Sequence, residues 1–323
     1  MKIFKKKLIQ EAATTKFRQE ILEKVWHLMA LLDAINDHSF LKNKLVLKGG
    51  TALNLFIFDV PRLSVDIDLN YIGAIEREAM MVERPLIEQA LETVFKREGF
   101  TINRIPGKHA GGKWRLKYES ALGGLGNLEV DLNFMFRVPL CEIQKMRSHI
   151  IGGYQTQEIS LLHLHELGAG KLSALFHRQA SRDLFDAYEL LTRQKIENEE
   201  FRIISLVYGV IGSRDWREIS VDDIQFDKRE LQNQLIPVMR KNAVEEEESW
   251  ISWTNRLLQG CKNALNFLLP FSANETDFLN QLYNHSKLDP TLLTSDQQMI
   301  EKIHSHPLLQ WKIQLISKNN QLR

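Results

Sequence analysis

Ile21, Leu22, Val25, Leu28, Met29 and Leu32 recur at helical spacing in a stretch without Gly or Pro, which predicts one long helix through residues 7–31. Lys44 to Lys48 reads as a short strand. Gly49-Gly50-Thr51 breaks it, and Ala52 to Phe56 opens another helix with Thr51 placed to cap it. Pro61-Arg62 leads into a strand over Val65–Tyr71. A Glu-rich helix follows from Ala74 to Arg97, interrupted by Pro85. Strands are then predicted at Thr101–Ile105, Lys113–Glu119 and Leu128–Phe136. The last two alternate around a Gly123–Asn127 turn, the pattern of a hairpin. From His163 onward the periodicity is almost entirely helical. The pattern is α+β: a mixed first half, a helical second half, and a boundary between Gly153 and His163. Domains at residues 1–160 and 161–323 follow from it.

Composition narrows the function. The 323 residues carry 42 Lys+Arg against 41 Asp+Glu, a net charge of +1, so neither a disordered chain nor a general polyanion binder is expected. The longest apolar run, Ile203 to Ile211, contains Ser205 and Gly209 and is too short to span a bilayer. The basic start at Met1–Lys7 lacks the apolar core of a signal peptide. Cys141 and Cys261 lie far apart and are expected as reduced thiols in a cytoplasmic protein with no membrane partner. The run Glu245–Glu248 reads as a solvated helix face.

The candidate chemistry begins at Arg62-Leu63-Ser64-Val65-Asp66-Ile67-Asp68-Leu69. On a strand, Val65, Ile67 and Leu69 face one way, and Ser64, Asp66 and Asp68 the other. Two carboxylates about 4 Å apart repel by roughly 4 kcal/mol at an effective dielectric near 20, which a cation would relieve. The alternative is an edge strand whose acids are simply hydrated. Just upstream, Gly49, Gly50 and Thr51 sit between strand and helix, where close backbone approach and free N–H groups suit a phosphate. An anion cradle beside a D-x-D strand fits a triphosphate with magnesium. Neither a P-loop nor a dinucleotide-binding glycine motif is present. Asp131, on the polar face of Leu128–Phe136, is a third acid suited to a metal site and to proton abstraction. Glu129 competes for that role.

These features resemble the polymerase-beta-like nucleotidyltransferases. More closely, the chain is similar to the AbiEii/AbiGii toxin family, which includes the MenT-type toxins. The matching text is Leu47-Lys48-Gly49-Gly50-Thr51-Ala52-Leu53, then Arg62-x-Ser64-x-Asp66-Ile67-Asp68-Leu69. Further blocks run from Lys171 to Arg178, from Arg182-Asp183 to Asp186, over Leu292–Asp296, and over His306–Lys312. The resemblance implies a nucleotidyltransferase core with flanking helices and a C-terminal helical domain that contributes to the nucleotide site. It further implies Mg2+ or Mn2+ on Asp66, Asp68 and Asp131, and an NTP held by Gly49, Gly50, Thr51, Arg62, Ser64, Lys171 and Arg178. Lys171 and Asp183 carry catalytic weight in that reading. The expected acceptor is an RNA, a tRNA 3′ end, whose modification blocks translation in an abortive-infection system. The expected partner is an AbiEi-like antitoxin that need not form a stable complex. A small-molecule nucleotidyltransferase and a non-catalytic nucleotide binder are the competing readings.

If Lys171 to Asp186 stays helical, Lys171, Arg178, Arg182 and Asp186 share one stripe. That stripe serves either triphosphate neutralisation or a helix–helix ion-pair cluster. A phosphate on Ser64 would add negative charge beside Asp66. Arg104, Lys108, His109, Lys113, Arg115 and Lys117, with Trp114 and Tyr118 interleaved, form either an RNA-contacting stretch or a solvated hairpin face. His163/His165 and His304/His306 have no Cys or acid at ligand spacing, so no zinc site is expected.

Overall fold

The computed structural model describes residues 2–105, 111–178, 180–196, 198–244 and 248–321. Lys108, His109 and Glu245–Glu247 of the stretches above lie outside them. Two compact units interleave along the chain. The first comprises residues 1–137, 143–162 and 234–247, the second 138–142, 163–233 and 248–323.

The first unit opens with two helices rather than one: α1 (Lys5–Thr15) and α2 (Gln19–Asp37). Lys16 turns left-handed at φ 63, and its carbonyl accepts the Lys241 N–H. Phe17 then drops into the core beneath the Arg240 guanidinium, 4.5 Å from its ring centroid. A tertiary anchor at Phe17 thus overrides continuous helical periodicity.

Among the described residues the sheet has seven strands: β1 (Leu45–Lys48), β2 (Asp66–Tyr71), β3 (Thr101–Arg104), β4 (Gly111–Glu119), β5 (Leu125–Asn133), β6 (Gln144–Met146) and β7 (Ile159–Leu161). Their order is β3-β4-β5-β2-β1-β7-β6. The expected hairpin is β4–β5, while β6 and β7 are too short to show alternation in sequence. β2 is central, antiparallel to β1 and parallel to β5. The edge-strand alternative for the D-x-D motif is therefore excluded.

One sheet face is apolar. Ile67, Leu69, Trp114, Leu116, Leu128, Val130 and Leu132 are buried there with α2 and α4 (Arg77–Arg97). Phe95 of α4 meets Trp114 edge-on, with ring centroids 5.9 Å apart. Each such side chain contributes about 1.5–3 kcal/mol on burial. From α2, buried Glu23 accepts the Ser120 hydroxyl and the Ala121 N–H, tying down the β4–β5 turn.

The second unit is helical: α5 (Leu164–His177), α6 (Ser181–Arg193), α7 (Glu199–Ile211), the short α8 (Lys228–Glu230), α9 (Trp250–Ala264), α10 (Ala273–His285), α11 (Gln297–Ser305) and α12 (Pro307–Gln321). Its core pairs α5 with α7 and α6 with α9, where Phe185 stacks on Trp253 at 5.7 Å. No described helix is long and apolar enough to cross a membrane.

Candidate active site

The acids of β2 and β5 fall on one sheet face because the strands are parallel and in register: Asp66 lies opposite Glu129 and Asp68 opposite Asp131. All four are partly exposed, whereas the intervening Ile67 and Val130 are buried. Lys48 of β1 pairs with Asp68, and Lys113 and Arg115 of β4 pair with Asp131 and Glu129. The acidic strip is thus bordered by basic positions on both neighbouring strands.

Those cations divide the acids. Lys113 Nζ and Arg115 Nε each lie 2.9 Å from the Glu129 carboxylate. Burial pushes the Glu129 pKa up, but the two cations outweigh it and hold it below the ordinary range. Lys113 is raised, first by its hydrogen bond to Glu129 and also by the charges of Asp66 and Asp131. Its ammonium therefore sits within the field of the acidic strip, a role that the basic run in the sequence does not reveal.

The glycine turn is fitted to the same strip. Gly49 has φ +73, and a Cβ there would stand 2.5 Å from Asp68 Oδ2, so the backbone passes directly against that carboxylate. A side chain would meet both the left-handed penalty, about 1–2 kcal/mol, and the collision. The helix begins at Gly49 rather than Ala52: α3 (Gly49–Ala52) runs into a wider π turn over Leu53–Ile57. Thr51 is not its cap. Lying inside α3 and fully buried, it donates its hydroxyl to the Asp66 carbonyl at 2.5 Å, fastening the helix to the acid strand. The Asn54 amide donates to Gly50 O at 3.0 Å.

Arg62 and Ser64 lie at the entry to β2, both buried. Arg62 donates to Leu63 O at 2.9 Å and bridges to Met239, while the Leu63 N–H donates to Val238 O. Val238 and Met239 thus brace the start of the acid strand.

The aromatic residues of β4 do not form a stacking surface. Trp114 and Tyr118 point into the core, 1% and 6% exposed, because they alternate with the outward Lys113, Arg115 and Lys117. Two of those three cations are engaged by Glu129.

In the second unit the Lys171–Asp186 stretch is two helices, not one. Arg178 is extended (φ −142, ψ 143), and α6 starts at Ser181, so the single stripe is not formed. Instead Lys171 of α5 meets Asp183 Oδ1 at 2.8 Å and Asp186 Oδ2 at 3.0 Å across the helix pair. Arg178 adds a bond to Asp183 Oδ2 at 2.5 Å. Burial pushes the Asp183 pKa up, but Lys171 and Arg178 pull it below the usual carboxylate range. Arg182 pairs instead with Glu230, at 3.8 Å.

No curated protein matches the chain by sequence. Among solved structures the fold is similar to that of MenT4, a nucleotidyltransferase toxin from Mycobacterium tuberculosis H37Rv. The TM-score is 0.60 at 16% identity, covering 94% of this chain and 98% of that one. The family model for the nucleotidyl transferase AbiEii toxins of type IV toxin–antitoxin systems matches residues 30–254, a span that holds the glycine turn, the acid strip and the Lys171–Asp183 pair. The chain belongs to the AbiEii family of nucleotidyltransferase toxins.

Proposed function

We propose that the acid strip transfers a nucleoside monophosphate from an NTP to a hydroxyl of an RNA, the 3′ end of a tRNA, and so blocks translation in an abortive-infection response. The observation that carries the transfer chemistry is the pairing of Asp68 with Asp131, with Asp66 on the same sheet face and Gly49 laid against Asp68. The acceptor comes from the family resemblance.

The donors on this strip are carboxylate oxygens, and Glu129 already has its cations. Asp66, Asp68 and Asp131 are thus the residues that would hold Mg2+ or Mn2+, whose preference is for hard oxygen ligands. When bound, the ion supplies charge neutralisation of the triphosphate and of the attacking oxygen. Gly49 and Gly50 let the backbone approach the phosphates, and Thr51 fixes that turn to the acid strand. The acceptor hydroxyl oxygen forms a bond to the α-phosphorus and the α–β phosphoanhydride bond breaks. Pyrophosphate leaves, and the hydroxyl proton passes to Asp131. Arg62 and Ser64 support the strand entry and the nucleotide. Lys171, Asp183 and Arg178 keep the nucleotide-binding and catalytic roles of the family, with Lys171 oriented by the two buried acids. The family pairs such a toxin with an antitoxin encoded by the same system.

The test is label transfer from each α-labelled NTP into total tRNA with Mg2+. We expect transfer from one or more NTPs, abolished in Asp66→Ala and lowered at least about 100-fold in Asp131→Asn, the range in which general-base loss falls. Glu129→Gln should retain more activity than Asp131→Asn. The reverse ranking would move the third acid to Glu129, labelling of another RNA in place of tRNA would overturn the tRNA assignment, and labelling of an acceptor that is not RNA would overturn the RNA assignment.

A further inference from the structure

The sequence shows His163-x-His165 with no companion ligand, but the fold supplies one. In the second unit, Cys141, His163 and His165 each offer a ligand atom, and these atoms lie within 4.8 Å of one another. A fourth donor stands beside them: Glu200 Oε2 is 3.2 Å from His165 Nδ1, and Glu200 Oε1 is 3.8 Å from Cys141 Sγ. His165 Nδ1 is sealed from solvent and faces the Glu200 carboxylate.

We propose that Cys141, His163, His165 and Glu200 form a zinc site. A thiolate, two imidazoles and a carboxylate are the donor set that tetrahedral zinc takes. They differ in kind from the oxygen donors of Asp66, Asp68 and Asp131. With metal–nitrogen and metal–sulfur bonds of about 2.0–2.3 Å, ligand atoms sit roughly 3.3–3.8 Å apart, so the group closes by about 1 Å on loading.

The surroundings hold these donors in place. Glu166, almost fully buried, accepts the Leu140 N–H at 3.0 Å and the Cys141 N–H at 3.1 Å, and also takes the Tyr208 hydroxyl at 2.8 Å. The thiol is therefore carried on a pinned backbone. His163 is the N-cap of α5, and the Asn198 amide meets His165 Nε2 at 3.3 Å. Glu200 lies in the first turn of α7. The ion would join the 138–142 segment, the start of α5 and the start of α7, three pieces of the second unit that are distant in sequence. Four protein ligands leave no open position, so the site is a structural staple and not a second reaction centre.

The experiment titrates the chelator-stripped full chain with Zn2+ alone, by calorimetry and thermal melting. We expect one equivalent to bind and to raise the melting temperature, unaffected by millimolar Mg2+. Cys141→Ser should weaken binding at least about 100-fold, while Cys261→Ser should not. The Co2+-loaded parent should show a thiolate-to-cobalt charge-transfer band that is missing in Cys141→Ser. The proposal is overturned if the parent binds no stoichiometric zinc, if Cys141→Ser binds as tightly as the parent, or if the cobalt spectrum lacks the thiolate band. Should Cys141→Ser not fold, the parent's cobalt spectrum and His163→Gln decide between these outcomes.

Discussion

His27 shows how one buried side chain sets a pH dependence. It packs on Tyr118 with ring centroids 4.0 Å apart, and burial, with a smaller contribution from the N-terminal charge, pushes its pKa down to about 4 from 6.5. Between those values the unfolded chain binds a proton at His27 that the folded chain excludes, so stability falls as pH drops from 6.5 towards 4. The loss is about 3 kcal/mol in order of magnitude. His27→Phe should flatten this part of the stability curve, measured by urea unfolding from pH 7 to pH 4. An unchanged slope would mean that His27 is charged in the fold. The depressed carboxylates Asp183 and Glu129 act at lower pH: their contributions are present above the ordinary carboxylate range and vanish as pH falls through their folded values.

At the scale of elements, small residues decide how closely two pieces of chain approach. Gly209 of α7 lies against Trp216, and a Cβ there would stand 1.9 Å from the indole, which is fully buried. Gly170 of α5 meets only Tyr208, at an ordinary 3.8 Å. Two chemically identical substitutions should therefore have opposite signs. Gly209→Ala should cost about 1–3 kcal/mol through overpacking, while Gly170→Ala should gain about 0.5–1 kcal/mol from helix propensity. Thermal melting of the two variants reads the difference directly, and equal shifts would contradict the packing. The acid strip was legible in sequence because alternation fixes the face of a strand, and Asp66, Asp68 and Asp131 obey it. The parallel register that sets Asp68 opposite Asp131 was not, since pairing partners leave no local trace. Nor was the break at Arg178: Lys171, Arg178, Arg182 and Asp186 keep helical spacing across it, and only the tertiary pairing of Lys171 with Asp183 and Asp186 replaces the stripe. Cys141 is hidden for the same reason, lying more than a turn of any element away from His163 in sequence.

At the scale of the whole chain, the units are interwoven: the path passes between them five times. A cut at one point does not separate them. The first unit needs residues 238–240, where Val238 and Met239 pair with Leu63 and Arg62, and the Arg240 guanidinium bonds Thr15 O and Val60 O. A chain ending at residue 233 keeps every acid of the strip yet loses the brace at its entry, together with α9–α12 of the second unit, so Arg240→Ala in the full chain is the companion variant that removes part of the brace alone. We expect the truncated chain to be inactive in label transfer and to expose apolar surface to a dye such as ANS, whereas full-length Asp66→Ala should be inactive and well folded. A truncated chain with parental activity would show the brace to be dispensable.

That brace also shapes how the gene can be silenced. Cells that survive expression of a toxin are those carrying a disabling lesion, and most searches for such lesions look to the reacting groups. Here a frameshift or stop codon anywhere before the codons of Val238–Arg240 removes the support of a strand laid down some 170 residues earlier. Stops and frameshifts among survivors should therefore extend along the gene as far as codon 240, well past the last acid of the strip, while missense survivors gather around Gly49–Asp68, Asp131, Lys171–Asp183 and Val238–Arg240, and a ribosome that stops short of the brace releases a harmless product.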